Sequence, residues 1–189
     1  MDALLLSTLA VAIAEIGDKT QLLALVLAAR YRRFWPLAWG ILVATLANHA
    51  LAGWVGAWVS AQVPGQVLRW LLAGSFVAVA LWTLKPDRLD EDGAGLPSTR
   101  SAFVATTVAF FIAEIGDKTQ VATVLLAARF DALAMVVVGT TLGMLVANLP
   151  VVALGARFAD RLPLRQARLA AAVLFALLGL WLVIDGLRG

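Results

Sequence analysis

Four stretches of this chain, residues 3–29, 37–61, 102–128 and 132–156, stay apolar over more than the roughly 20 residues a helix needs to cross a bilayer. In hydrocarbon every backbone N–H and C=O must find its partner inside the protein, and only helices and closed barrels achieve this. Runs of this length are therefore expected to be helical, and two shorter ones, 70–84 and 169–184, bring the expected spans to six. Composition agrees, since 62% of the residues are hydrophobic and only 14% are charged, far from the balance of a soluble domain. The first stretch follows Met1 and Asp2 directly, has no basic segment ahead of it and exceeds a signal-peptide core, so it is expected to remain in the mature protein. With no cysteine, thiolate metal ligands, disulfides and thiol catalysis are excluded.

The net charge is +3. The basic residues lie between apolar runs instead of along one soluble face, which argues against nucleic acid as a partner and for orientation in a lipid bilayer. Assigning loops to alternate sides gathers Arg30, Arg32, Arg33, Lys85, Arg88, Arg100, Arg157, Arg161, Arg165 and Arg168 on one side and leaves Arg69, Arg129 and Arg188 on the other. The positive-inside rule makes the first side cytoplasmic and both termini external. Trp35, Trp58, Trp70 and Trp82 fall near expected span ends, at the depth where indoles favour headgroups.

Residues 15–21 and 114–120 both read EIGDKTQ, an offset of 99. At that offset Gly40 meets Gly139, Arg69 meets Arg168, Phe76 meets Phe175 and Trp82 meets Trp181. The chain is expected to be two homologous three-helix halves, residues 1–85 and 102–189, joined by a polar cytoplasmic linker, 86–101, that carries Asp87, Asp90, Glu91 and Asp92. An odd number of spans per half sends the second into the membrane from the opposite side. The expected fold is thus an all-α integral membrane protein of six transmembrane helices in two inverted-topology repeats, an architecture whose transporters hold their site near the midplane.

Each Glu is the thirteenth residue of its apolar run, at mid-membrane depth, where a charged residue costs about 2.5–3.5 kcal/mol on insertion scales. Placing Glu, Asp and Lys there twice points to function. On a helix residues i and i+3 share a face, which directs Glu15 and Asp18 to one patch and Glu114 and Asp117 to another. Four carboxylates are hard oxygen ligands suited to calcium, magnesium or manganese. Lys19 and Lys118, one turn after each Glu, offset part of the charge and leave a formal minus two that a divalent ion neutralises; when it leaves, the lysines and one or two protons could compensate. The competing structural reading is a Glu/Lys pair within each helix that neutralises itself.

Gly17 and Gly116 permit either close helix approach or local unwinding. Thr20, Gln21, Thr119 and Gln120 supply either neutral oxygens to the site or hydrogen bonds between helices. Asn48 and Asn148 sit in matching Ala-Asn contexts, one residue out of the main offset, and are secondary ligand candidates. His49 aligns with Leu149 and so breaks the symmetry; bonding between helices outweighs proton relay as its role. Pro150 is expected to kink its helix, and Gly139 and Gly143 form a GxxxG pair.

Two copies of Glu-x-Gly-Asp-Lys-Thr, each in the first helix of a three-helix half, resemble the small calcium/cation antiporter family that includes bacterial manganese exporters and a Golgi manganese/calcium transporter. The resemblance covers essentially the whole chain. It implies manganese or calcium export from the cytosol by proton antiport, with Glu15, Asp18, Glu114 and Asp117 as the motif acids. It also implies a bacterial inner membrane, no catalytic cofactor, and divalent cations and protons as partners; oligomeric state is not assigned. Rival readings are a calcium/proton exchanger, an exporter of another small substrate, an intramembrane enzyme and an assembly factor. One histidine and no cysteine argue against the enzyme.

Overall fold

The computed structural model describes residues 3–85, 101–155 and 164–188, and all regular structure there is helical. The linker of residues 86–101, Ser101 apart, lies outside the described residues, as do Arg88, Arg100, Arg157 and Arg161. The elements are α1 (Ala3–Glu15), α2 (Lys19–Tyr31), α3 (Phe34–Gln62), α4 (Gly65–Thr83), α5 (Ala102–Glu114), α6 (Lys118–Arg129), α7 (Leu133–Leu154) and α8 (Leu164–Arg188).

The helices long and apolar enough to cross a membrane are α3, α4, α7 and α8. These are not the four runs that stand out in sequence, because the first and third runs are broken in the middle. Helices α1 and α5 stop at Glu15 and Glu114, and each is about 20 Å long at 13 residues, short of a hydrocarbon core of about 30 Å. The cause is local: Gly17 and Gly116 adopt φ of +82° and +73°, left-handed values that end a helix. The next residue, Asp18 or Asp117, is extended at the N-cap position of the following helix, where the Asp117 side chain accepts from Thr119 N and that of Asp18 makes no capping bond. Of the two roles open to these glycines, unwinding is the one observed. The continuous helix needed for Glu15 and Asp18, or Glu114 and Asp117, to share a face through i, i+3 spacing does not exist. The third helices exceed their apolar runs in turn, α4 at 19 residues and α8 at 25. Pro150 does not end α7, which continues to Leu154.

The halves interlock. Helix α1 packs along α7 of the other half, α5 packs along α3, and α4 packs along α8. Glycine sets the first two crossings: a Cβ on Gly139 would stand 2.6 Å from the Leu4 carbonyl oxygen, and one on Gly40 would stand 3.0 Å from that of Phe103. The third is centred on Phe76 and Phe175, whose rings stack 6.3 Å apart. One apolar cluster joins these phenylalanines to Leu6, Ala10 and Leu126; a second unites Leu23, Ile41, Phe110 and Met144. Outward surfaces carry exposed Leu, Val and Ile, and all seven tryptophans are exposed, as a lipid-facing surface requires.

Candidate cation site

Between the broken helices lies a buried polar cluster. Glu15, Asp18, Glu114 and Asp117 are all at most 3% exposed, and the charges of Asp18, Asp117 and Glu114 all act on Glu15. The four acids expected from the repeat thus share one electrostatic neighbourhood. Among the described residues, no three Asp, Glu or His side chains converge closely enough to hold a metal ion in this arrangement.

The lysines explain why. Lys118 Nζ stands 2.5 Å from Asp18 Oδ1, and Lys19 Nζ stands 3.3 Å from Asp117 Oδ1. Each lysine pairs with the aspartate of the other repeat. The intrahelical Glu/Lys pair is absent because the break before Asp18 and Asp117 separates each lysine from its own glutamate. The two bridges differ in exposure: the Lys118–Asp18 side chains are 2% and 0% exposed, whereas Lys19 is 30% exposed over a buried Asp117.

Neutral motif residues hold the breaks in shape. Gln21 Oε1 accepts from Gly17 N at 2.9 Å, and Gln120 Oε1 accepts from Gly116 N at 2.7 Å. Thr20 donates to Glu15 and stands 3.3 Å from Asp18 Oδ2, while Thr119 donates to Asp117 Oδ2 at 3.0 Å. The glutamine amides then reach the other half, Gln21 donating to the Ala147 carbonyl at 3.0 Å and Gln120 to Asn48 Oδ1 at 3.4 Å.

The symmetry ends at the glutamates. Glu15 Oε1 accepts from Asn148 Nδ2 at 3.1 Å, an amide that also faces Met144 Sδ at 3.0 Å. Glu114 receives nothing from Asn48, whose amide donates instead to the Phe111 carbonyl. Its Oε1 accepts from Thr45 Oγ1 at 2.9 Å, and its Oε2 faces His49 Nε2 at 3.4 Å. Neither ring nitrogen of His49 has a hydrogen-bond partner among the described residues, and its polar contact with another helix is this approach to Glu114.

Two crevices open between these helices. One of about 660 Å³ lies between α2, the start of α3 and the end of α7, lined by Leu25, Ala28, Arg32, Leu37 and Val152. The other, of about 210 Å³, lies between α3 and α6, lined by Leu51, Ala52, Val124 and the motif residue Gln120.

Comparison with known proteins adds the family. The profile of the divalent cation/proton antiporter GDT1 family matches residues 3–91 and again residues 102–189. The chain belongs to this family. It is similar to a Vibrio cholerae serotype O1 protein named "Putative manganese exporter", with 54% identity over 181 residues, covering 95% of this chain and 90% of that protein. No solved structure matches the chain. The GDT1 relationship makes the protein a multi-pass membrane transporter and not an enzyme, with cations as substrates instead of catalytic cofactors.

Within this GDT1 antiporter, sequence reasoning missed Thr45 and Met144. Thr45 lies one turn before His49 on α3, and Met144 one turn before Asn148 on α7. That i, i+4 spacing from an already singled-out residue was the available signal.

Proposed function

We propose that the chain exports manganese from the cytosol across a bacterial inner membrane in exchange for protons, with Glu15, Asp18, Glu114 and Asp117 holding the cation. One observation carries this reading: the reciprocal bridges Lys118–Asp18 and Lys19–Asp117, which tie both copies of the motif into one buried charged cluster. Four carboxylates against two ammonium groups leave a formal charge of minus two. Either one divalent cation or two protons neutralises it, so the two occupants exclude each other, and this exclusion is the basis of exchange. For the cation to gather carboxylates, an aspartate must leave its lysine; the ammonium is then a built-in competitor that helps release the ion. Thr20, Thr119, Asn148 and Asn48 supply neutral oxygens once the breaks rearrange. Manganese rests on the named relative, and hard oxygen donors suit it.

The same reading includes two inverted three-helix repeats, residues 1–85 and 102–189, a cytoplasmic linker at 86–101 and both termini outside. The cross-repeat helix pairs and the stacking of the equivalent Phe76 and Phe175 on each other support a two-fold relation between halves. In that orientation the larger crevice, lined by Arg32 and Arg33, faces the cytoplasm, which fits an inward-facing state in which the halves alternate access.

The test is flux into proteoliposomes under an imposed pH gradient, comparing manganese with calcium. Manganese movement coupled to protons, abolished by Glu15→Gln and by Glu114→Gln in folded protein, is the expected result. Calcium flux alone would make the protein a calcium/proton antiporter. Undiminished flux in both variants would move the site elsewhere.

A further inference from the structure

The two halves of the site carry the same motif but face different second helices. On α3, Thr45 and His49 stand over Glu114; at the positions aligned with them on α7, Leu145 and Leu149 offer nothing polar to Glu15. His49 is completely buried. A neutral imidazole always has one N–H to give and one lone pair to offer, and burying both unused is costly. A histidine that joined helices by hydrogen bonding would have a donor or acceptor partner on the other helix. This one instead presents Nε2 to Glu114 Oε2, an oxygen that also has no hydrogen-bond partner among the described residues.

We propose that His49 is a nitrogen ligand of the transported cation and sets its selectivity, making the Glu114 half of the site the one that prefers a first-row transition ion to calcium or magnesium. The geometry fits a shared ion. Metal–nitrogen and metal–oxygen bonds of about 2.1 Å place neighbouring ligand atoms about 3.0–3.4 Å apart, and the observed separation is 3.4 Å. Calcium prefers all-oxygen shells at longer distances. An imidazole nitrogen therefore adds more to the binding of manganese and its transition-metal neighbours than to that of alkaline-earth ions. Glu15, served by an amide and a hydroxyl, lacks such a donor and contributes charge without discrimination.

The inference rests on the proposed cation site, and its test separates the two. His49 is the one histidine in the sequence, so protein purified through a histidine-free tag and grown with ¹⁵N-imidazole histidine carries a label at that residue alone. Pulsed electron paramagnetic resonance of bound Mn²⁺ is expected to show a directly coordinated ¹⁴N in the unlabelled protein, converted to ¹⁵N in the labelled protein and lost in His49→Gln. In competition flux, His49→Gln is expected to lower the manganese-to-calcium ratio by about tenfold while calcium still moves. Mn²⁺ binding that depends on Glu15 and Glu114 but shows no histidine nitrogen would overturn this inference and leave the site intact. Mn²⁺ binding indifferent to both glutamates would overturn the site itself, and the inference with it. The isotope exchange uses the unaltered chain, so misfolding of the variant cannot mimic either result.

Discussion

The two cross-repeat bridges look alike in sequence and differ in surroundings, and that difference sets a prediction about stability. Lys118 and Asp18 are sealed from solvent, whereas Lys19 is 30% exposed. Replacing Lys118 by Met keeps the length of the side chain and removes the charge, leaving the Asp18 carboxylate buried without its nearest cation. Breaking a buried pair in this way costs about 3–5 kcal/mol. Lys19→Met also orphans a buried carboxylate, but Lys19 is itself partly hydrated and Thr119 still donates to Asp117, so the cost is expected to be smaller. Removing both ends of the buried bridge, Lys118→Met with Asp18→Asn, takes away the orphaned charge and is expected to recover at least half of the single-variant loss.

Seven tryptophans and no cysteine make intrinsic fluorescence the natural readout of unfolding in detergent. The expected order of melting temperature is unaltered protein, then Lys19→Met close below it, then the double variant, with Lys118→Met lowest. Equal losses for the two lysines would refute the argument from burial. A double variant that loses the sum of its singles would refute the coupling, because independent sites add.

Three further outcomes follow from the packing. Gly139→Ala places a Cβ 2.6 Å from the Leu4 carbonyl and is expected to cost about 1–3 kcal/mol, whereas Gly74→Ala in α4 meets nothing within 4 Å and is expected to be neutral or slightly stabilising; a melting comparison checks the pair, and equal effects would contradict the close α1–α7 crossing. Gly17→Ala is expected to be more damaging than Gly116→Ala, since both positions are left-handed but only the first Cβ meets a neighbour, Leu164 at 3.0 Å; the same melts measure it, and the reverse order would argue against the packing of α8 on the first break. In the cysteine-free background, a membrane-impermeant maleimide is expected to label Ala28→Cys in the larger crevice faster than Ala52→Cys in the smaller, and to do so from the cytoplasmic face. Equal labelling would remove the argument for an inward-facing state.

Much of the candidate site was legible in one repeated heptapeptide. The offset of 99 located all four acids and both lysines, and burial of the four acids in one electrostatic neighbourhood is what the pattern leads one to expect. What sequence periodicity hid was the break. An apolar run reads as one helix, and on one helix Glu15 faces Lys19 four residues on; a single left-handed glycine at position 17 cancels that relation and turns Lys19 toward Asp117. Cross-repeat pairing was illegible for the same reason, since it depends on how two broken helices meet and on no spacing within either.

The asymmetry of the site has a different origin. Identical motifs cannot by themselves distinguish the two halves of the cluster, so whatever makes Glu15 and Glu114 unlike must come from the helices that pack across them. Those are α3 and α7, in register through Asn48 and Asn148 but unlike at Thr45 and His49 against Leu145 and Leu149, and at Ala44 against Met144. The repeated motif supplies two charged half-sites of the same composition. Discrimination among cations of equal charge depends on donor type and geometry, and an imidazole on one half alters both. Here Thr45 and His49 stand beside Glu114, the aligned α7 positions are Leu145 and Leu149, and the charged motif is identical in the two halves.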